Sequence, residues 1–381
     1  MIHHNPFVQL LKLMKQNHAQ KQVNFASSLP WLGKFLLTEP FRQFEKIKTD
    51  RKVKKKRLCK DPVFVLGHWR SGTSFLQYLL GQDPQFGYLN KFQAIFPELF
   101  LTSENILKPI VKKISKQFET RDNVKDISVN WDWDSPSELD IALTTFCSPA
   151  SPHWGHTFPH NHKEYFRKYL FLNEATKEDR KLWKKTYDYL IKKLTIENDD
   201  KQIVIKSPGN TARIRYLLEM YPNAKFLYIH RNPYDVFYSN IKLWNTLLDI
   251  LSFQDFDRSQ IHSIILDNYE MLLKSYLTDR ELIPDNNLVE IRFEEFADNP
   301  LPHLEKAYDI LNLENFVQAE PEIRHFLDLQ KKGGSSGYDY DDDIIQRIDN
   351  RWQFSFDEWP YPLPEKSSSI EKNSPNETIP A

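Results

Sequence analysis

Residues 61–80, DPVFVLGHWRSGTSFLQYLL, constrain this chain more than any other stretch. The apolar run Val63 to Leu66 reads as a strand, the turn bracketed by Gly67 and Gly72 stops it, and Thr73 and Ser74 open an apolar helical pattern. A strand that ends in a glycine turn, with a helix starting straight after it, aims unpaired backbone N–H groups and the positive end of a helix dipole at one spot. Phosphate suits such a spot. The glycines have the G-x-x-x-x-G spacing of a nucleotide-phosphate loop, but Thr73 stands where that motif requires lysine and the cation, Arg70, lies inside the loop. An ordinary NTPase site is a poor fit.

Three further short apolar runs, Ile203–Ile205, Phe226–Ile229 and Leu288–Ile291, also read as strands. Helical patterns lie between them at Thr211–Met220, Tyr234–Leu243 and Ser259–Tyr276. Strands alternating with helices imply right-handed crossovers and a parallel sheet. The expected fold class is therefore α/β: a three-layer, P-loop-like fold with a central parallel sheet flanked by helices, plus an N-terminal helical extension. With 381 residues and 40% hydrophobic composition, one main domain with additions is expected. Its parts are a helical and basic extension at 1–60, the core at 61–330, a C-terminal loop and closing segment at 331–360, and a disordered tail at 361–381.

The formal charge of −1 gives no global reason to expect nucleic-acid binding. The one dense basic run, Arg51 to Arg57, suits either a solvated face or attraction to a membrane surface or an acidic partner. Two cysteines, Cys59 and Cys147, make no disulfide framework and have no metal-ligand spacing, so reduced thiols in a cytoplasmic protein are expected. FVQLLKLM near the N-terminus is too short for a membrane span and lacks the marks of a signal peptide; it reads as an amphipathic helix packed on the domain. Residues 102–126 look helical and basic, whereas 127–165, crowded with Trp, Pro and His, read as an irregular lid or pocket wall.

Two more strand ends carry a cation. Lys206 falls at the end of IVIK, and ligands of open parallel sheets gather outside those ends. Arg231 closes FLYIH, with Ser239 two helical turns on, offering a planar fork and a hydroxyl to a phosphate. The plainer readings are a surface lysine at a strand exit and an Arg231–Asp235 pair at a helix start. No acidic residue sits at a strand end to hold magnesium. That pattern favours an anionic ligand neutralised by protein donors without a metal.

Taken together, these segments resemble the sulfotransferases that use 3′-phosphoadenosine 5′-phosphosulfate. HWRSGTSFL resembles that family's 5′-phosphosulfate loop and FLYIHRNPYDVFYSN its 3′-phosphate segment, in the expected order and separation. ETRDNVKDISVNWDWDSPSELDIAL, IVIKSPGN and VEIRFEEFADNP extend the similarity, to bacterial and Golgi-type branches, from about Asp61 to Leu313. The chain departs from the pattern at His68-Trp69, which replaces the usual residue-proline pair, and at Phe75, which stands where cytosolic members carry tryptophan near the adenine.

The resemblance implies roles. Arg70 and the amides of Ser71, Gly72, Thr73 and Ser74 would hold the 5′-phosphosulfate, with Phe75 against the adenine. Lys206 would stabilise the leaving oxygen, as the matching lysine does in protein-tyrosine sulfotransferases, and Arg231 and Ser239 would hold the 3′-phosphate. Lys332 and Gly333 loosely resemble a loop that closes over that phosphate; a plain solvent loop fits them equally. The transfer needs a base. Glu138, at the start of the helical pattern SPSELDIAL, is the first choice, with Asp140 or a histidine of 153–162 as alternatives and a surface helix-start glutamate as the plain reading.

His153, His156, His160 and His162 have neither the helical pairing nor the cysteine partner of a zinc site. No metal is expected. The acceptor, a hydroxyl or amine of a small molecule, lipid or glycan, is not identified by the sequence. An ATP-dependent kinase and a non-catalytic nucleotide-binding or membrane-associated scaffold are the rival readings.

Overall fold

The computed structural model describes residues 5–18, 22–118, 132–146, 148–172, 174–329 and 338–364. Its centre is one five-stranded sheet, all parallel, in the order β2-β3-β1-β4-β5. The strands are β1 Val63–Leu66, β2 Phe86–Tyr88, β3 Gln202–Lys206, β4 Lys225–His230 and β5 Leu288–Arg292. Alternation with period two sends their side chains to two cores. Phe64, Leu66, Ile203, Ile205, Phe226 and Tyr228 enter one, and Val63, Val65, Val204, Leu227, Ile229 and Val289 the other. Helices cover both faces, which gives the three-layer α/β fold.

The four strands read from sequence are present, each within a residue of its expected ends. β2 is the addition. It has three residues with a glycine at its centre, too short for a periodic signal, and a Cβ on Gly87 would lie 2.5 Å from the Cβ of Asn198. The pattern Thr211–Met220 is not one helix but a 3₁₀ turn, Pro208–Ala212, and a helix, Ile214–Met220. Tertiary bonds from Thr211 and Arg213, described below, fix that break.

The N-terminal amphipathic helix, Pro6–His18, packs Leu10, Leu13 and Met14 against Trp154, Phe158 and Phe253. After it runs a helix of 31 residues, Phe25–Lys55. A buried ion pair between Glu45 and Lys193 pins its middle, and Glu45 also accepts from the Thr102 amide at 3.0 Å. The basic run forms its last turn: Val53 is buried, whereas Arg51, Lys52, Lys54 and Lys55 face solvent.

Of the expected helix 102–126, Phe100–Phe118 is observed; residues 119–131 lie outside the described residues. Of the two readings of 127–165, a lid or a pocket wall, the described part of the segment, from residue 132, forms a wall: it packs on the core and His156 lines a recess. It holds the helix Leu139–Thr145, and beyond that prolines limit it to the single turns Trp154–Thr157, Pro159–Asn161 and His162–Tyr165, with Trp154 and Phe158 buried. Cys147 and residues 330–337 and 365–381, including Lys332, Gly333 and most of the expected tail, lie outside the described residues. No described helix is long and apolar enough to cross a membrane.

Candidate active site

The loop after β1 is shaped by close approach. Gly67 has φ 144° and Gly72 φ 103°; a Cβ on the first would lie 2.5 Å from the Ile229 carbonyl oxygen, and one on the second 2.2 Å from the Phe293 ring. Thr211 clamps the entry, its hydroxyl accepting from the Gly67 amide at 2.8 Å and donating to the Gly67 carbonyl at 3.1 Å. Ser71 bonds back to the His68 carbonyl through its hydroxyl at 2.8 Å. Arg70 itself is left-handed, φ 71°, a conformation that costs a non-glycine residue energy and is kept where surrounding contacts fix it. The helix Thr73–Leu80 then begins with no side-chain cap, so its first-turn amides have no carbonyl one turn behind them.

β1 lies between β3 and β4, so the three cation-bearing strand ends are neighbours. Arg70 donates from Nε to the Ser239 hydroxyl at 2.7 Å. Arg231 donates to the Arg70 carbonyl at 3.3 Å and to Asp235 at 2.9 Å, and its guanidinium lies 4.9 Å over the Phe293 ring. The helix-start pair with Asp235 is thus real, but it uses only part of the fork. Among the described residues, Arg231 Nε is buried without a hydrogen-bond partner. Ser239 is buried, on the helix Pro233–Leu251 that Asn232 caps. Ser74 is exposed at the first turn, and Phe75 packs edge-on to Phe296 at 5.5 Å.

Lys206 is no surface lysine: it is buried and donates to Glu138 at 2.6 Å. The approach of Glu138 is built by backbone. The chain before it pairs with residues 89–90, and Glu138 forms a parallel bridge with Lys206. An acid therefore does reach a strand end, brought there by another segment and engaged by the lysine. Two residues on, Asp140 takes both oxygens to Arg213, at 2.9 and 3.1 Å, and Arg213 also donates to the carbonyls of Leu170 and Tyr169. Both side chains are inaccessible to solvent, so this pair ties the wall to the sheet and leaves Asp140 no free oxygen edge.

One to two turns past Ser239 on the same helix, Leu243, Trp244 and Leu247 line a recess with Trp69, Phe166 and His156. Its histidines are neutral at neutral pH. Burial pushes His68 down to about 4 and His156 well below its usual value. His153 and His156 meet at 3.3 Å between their Nδ1 atoms, and His153 is buried with Nε2 unpartnered. His160 instead contacts the Asp255 carbonyl at 2.8 Å, away from that pair. Among the described residues no group of three His, Cys, Asp or Glu side chains is placed to hold a metal ion.

Sequence reasoning missed Tyr340, whose hydroxyl donates to Asp235 at 2.5 Å, and Tyr338, stacked on Tyr238 at 5.8 Å. These residues bring the chain that follows the glycine-rich segment back beside Arg231. It also missed Lys91, half-buried, whose pKa burial lowers, with Asp132 opposing the shift and Lys206 adding to it. None of the three sits in a strand–turn–helix motif.

Residues 62–318 match the family model described as the sulfotransferase family. The chain belongs to that family. Among curated relatives of this sulfotransferase, the omega-hydroxy-beta-dihydromenaquinone-9 sulfotransferases Stf3 of Mycobacterium bovis and Mycobacterium tuberculosis are each 27% identical over 318 residues, covering 84% of this chain and 80% of theirs. Among solved structures, sulfotransferase STF9 from Mycobacterium avium superposes with a TM-score of 0.68 at 17% identity, over 84% of this chain and 82% of its own. STF1 from Mycobacterium tuberculosis H37Rv gives 0.67 at 16%, over 85% and 88%. At that identity the structural likeness speaks for the fold.

Proposed function

We propose that this sulfotransferase moves the sulfuryl group of 3′-phosphoadenosine 5′-phosphosulfate to a hydroxyl or amine by in-line transfer. The observation that carries the reading is the open fork of Arg231: a buried guanidinium Nε without a partner, beside Ser239 and Arg70, calls for an anion. In this reading Arg231 and Ser239 take the 3′-phosphate, with Lys332 and Gly333 closing over it. Arg70 and the amides of residues 71–74 take the 5′-phosphosulfate, and Phe75 flanks the adenine. Residues 61–330 are the catalytic core, with 1–60 and 331–360 as its extensions.

Lys206 turns from Glu138 toward the phosphate oxygen that leaves sulfur and stabilises its growing charge. Glu138, released from that pair, accepts the acceptor's proton as the new oxygen–sulfur or nitrogen–sulfur bond forms and the old sulfur–oxygen bond breaks. Two arginines, a lysine and helix amides supply the positive charge that a metal would otherwise bring. The donor is a nucleotide of the cell interior, so a cytoplasmic site of action belongs to the same reading.

For the acceptor, an apolar alcohol of the lipid class fits best. The recess walled by Trp69, Phe166, Trp244 and Leu247, with neutral histidines, suits an apolar chain. The Stf3 relatives are named for a hydroxylated menaquinone. Incubation with sulfur-labelled donor and a panel of hydroxylated isoprenoids, phenols and glycans tests the reading. Label should pass to a lipid alcohol and adenosine 3′,5′-bisphosphate should inhibit. Phosphate transfer from ATP, or nucleotide binding with no transfer to any acceptor, would replace it with the kinase or the silent scaffold.

A further inference from the structure

The helix Phe25–Lys55 exposes what a soluble surface helix normally buries. Between residues 25 and 47 its solvent-facing large side chains are Phe25, Leu29, Leu36, Leu37, Phe44 and Ile47, with Leu37 78% and Ile47 81% exposed. Gln43 is the one exposed polar residue along that stretch; Ser27, Lys34, Thr38, Glu39 and Lys46 are half-buried. At the angular step of an α-helix these six fall on one face about 120° wide, the buried Phe35, Arg42 and Glu45 lie on the other, and the buried Leu32 borders the strip beside Phe25. The face is therefore a continuous apolar strip rather than a scatter of single exposed residues.

Beyond Ile47 the exposed residues of the helix are all cationic: Lys48, Arg51, Lys52, Lys54 and Lys55. Its acids are engaged elsewhere, Glu39 with Arg42, Glu45 with Lys193 and Asp50 with Lys54. We propose that this face lies on an anionic lipid bilayer as an interfacial helix, the apolar strip in the headgroup–acyl boundary and the cationic end against the lipid charges. A second copy of the helix would offer that end no free carboxylate, only more cations. The start of the helix packs through Trp31 and Leu32 on Trp154, Phe158 and Phe253. Docking would thus hold the adjoining recess close to the membrane surface.

Flotation of the full chain with vesicles of phosphatidylcholine, with and without phosphatidylglycerol, tests this without donor or acceptor. Wild type should float with the mixed vesicles and much less with the neutral ones. Leu37→Glu with Ile47→Glu should lower the bound fraction about tenfold or more. Lys52→Gln with Lys55→Gln should abolish the preference for the anionic vesicles. All four positions face solvent, so thermal unfolding midpoints should stay at the wild-type value. Wild type left unbound by both vesicles, or the glutamate variant floating like wild type, would overturn the proposal. So would a dimer in solution that Ile47→Glu splits while vesicles capture nothing. None of these results bears on the transfer reaction.

Discussion

Arg70 donates its Nε–H to the Ser239 hydroxyl at 2.7 Å, which joins the loop after β1 to the helix after β4 side chain to side chain. The two segments proposed to hold the donor's phosphates, read separately from the sequence, are therefore one structure. Each holds the other's polar group in place before any ligand arrives, so ordering cost on binding is reduced.

Ser239→Ala removes that strut and one donor to the nucleotide. Affinity for adenosine 3′,5′-bisphosphate should fall by about 1 kcal/mol, the net worth of one hydrogen bond, as read by calorimetry. Unchanged affinity would leave Ser239 a purely structural residue.

Glu138→Gln keeps an acceptor for Lys206 but cannot take a proton. Turnover should drop on the order of 10²-fold or more while bisphosphate affinity holds. Persistence of activity would shift the base to His153, buried nearby with Nε2 unpartnered.

Asp140 and Arg213 make a fully buried pair. Asp140→Ala would strand the guanidinium and should cost about 3–5 kcal/mol in denaturant unfolding. A loss below about 1 kcal/mol would mean that the pair does not anchor the wall.

His68 supplies a pH test. Its Nδ1–H donates to the Trp69 carbonyl and its Nε2 is buried without a partner, so burial holds the ring down to about 4 from the ordinary 6.5. The folded-state value is depressed, so the neutral ring's contribution is complete above pH 6.5 and is lost as the pH falls toward 4, by roughly 3 kcal/mol in all. His68→Gln should remove its share of that slope in the stability profile measured by urea unfolding at several pH values, leaving the share of His156 and His230, which burial also depresses. An unchanged slope would place the ring's titration elsewhere.

Four of the five strands were legible because they are short runs of branched and aromatic residues, each ending where a glycine or cation interrupts the apolar pattern; β2 carries no such run. The loop cation, Lys206, Arg231 and Ser239 were legible because their positions follow from local strand–turn–helix spacing. What stayed hidden depends on contacts distant in sequence. Arg213 meets Asp140 across 73 residues, and Tyr340 reaches Asp235 across 105. The 3₁₀ break in Thr211–Met220 is set by the Gly67 backbone, which no helical periodicity reports. For the aromatic segment 127–165 the sequence left lid and pocket wall open, because the choice is made by distant contacts: past residue 148 its prolines allow only short turns, yet Trp154 and Phe158 are buried.

The most direct test is calorimetric titration of adenosine 3′,5′-bisphosphate, and separately of ATP, into wild type and Arg231→Ala. Wild type should bind the bisphosphate well and ATP poorly, and the variant should lose about 1.5–3 kcal/mol of bisphosphate affinity, the scale of a charge-assisted hydrogen bond. Equal affinity of the variant and wild type, or a preference for ATP, would contradict a site built around the open fork of Arg231.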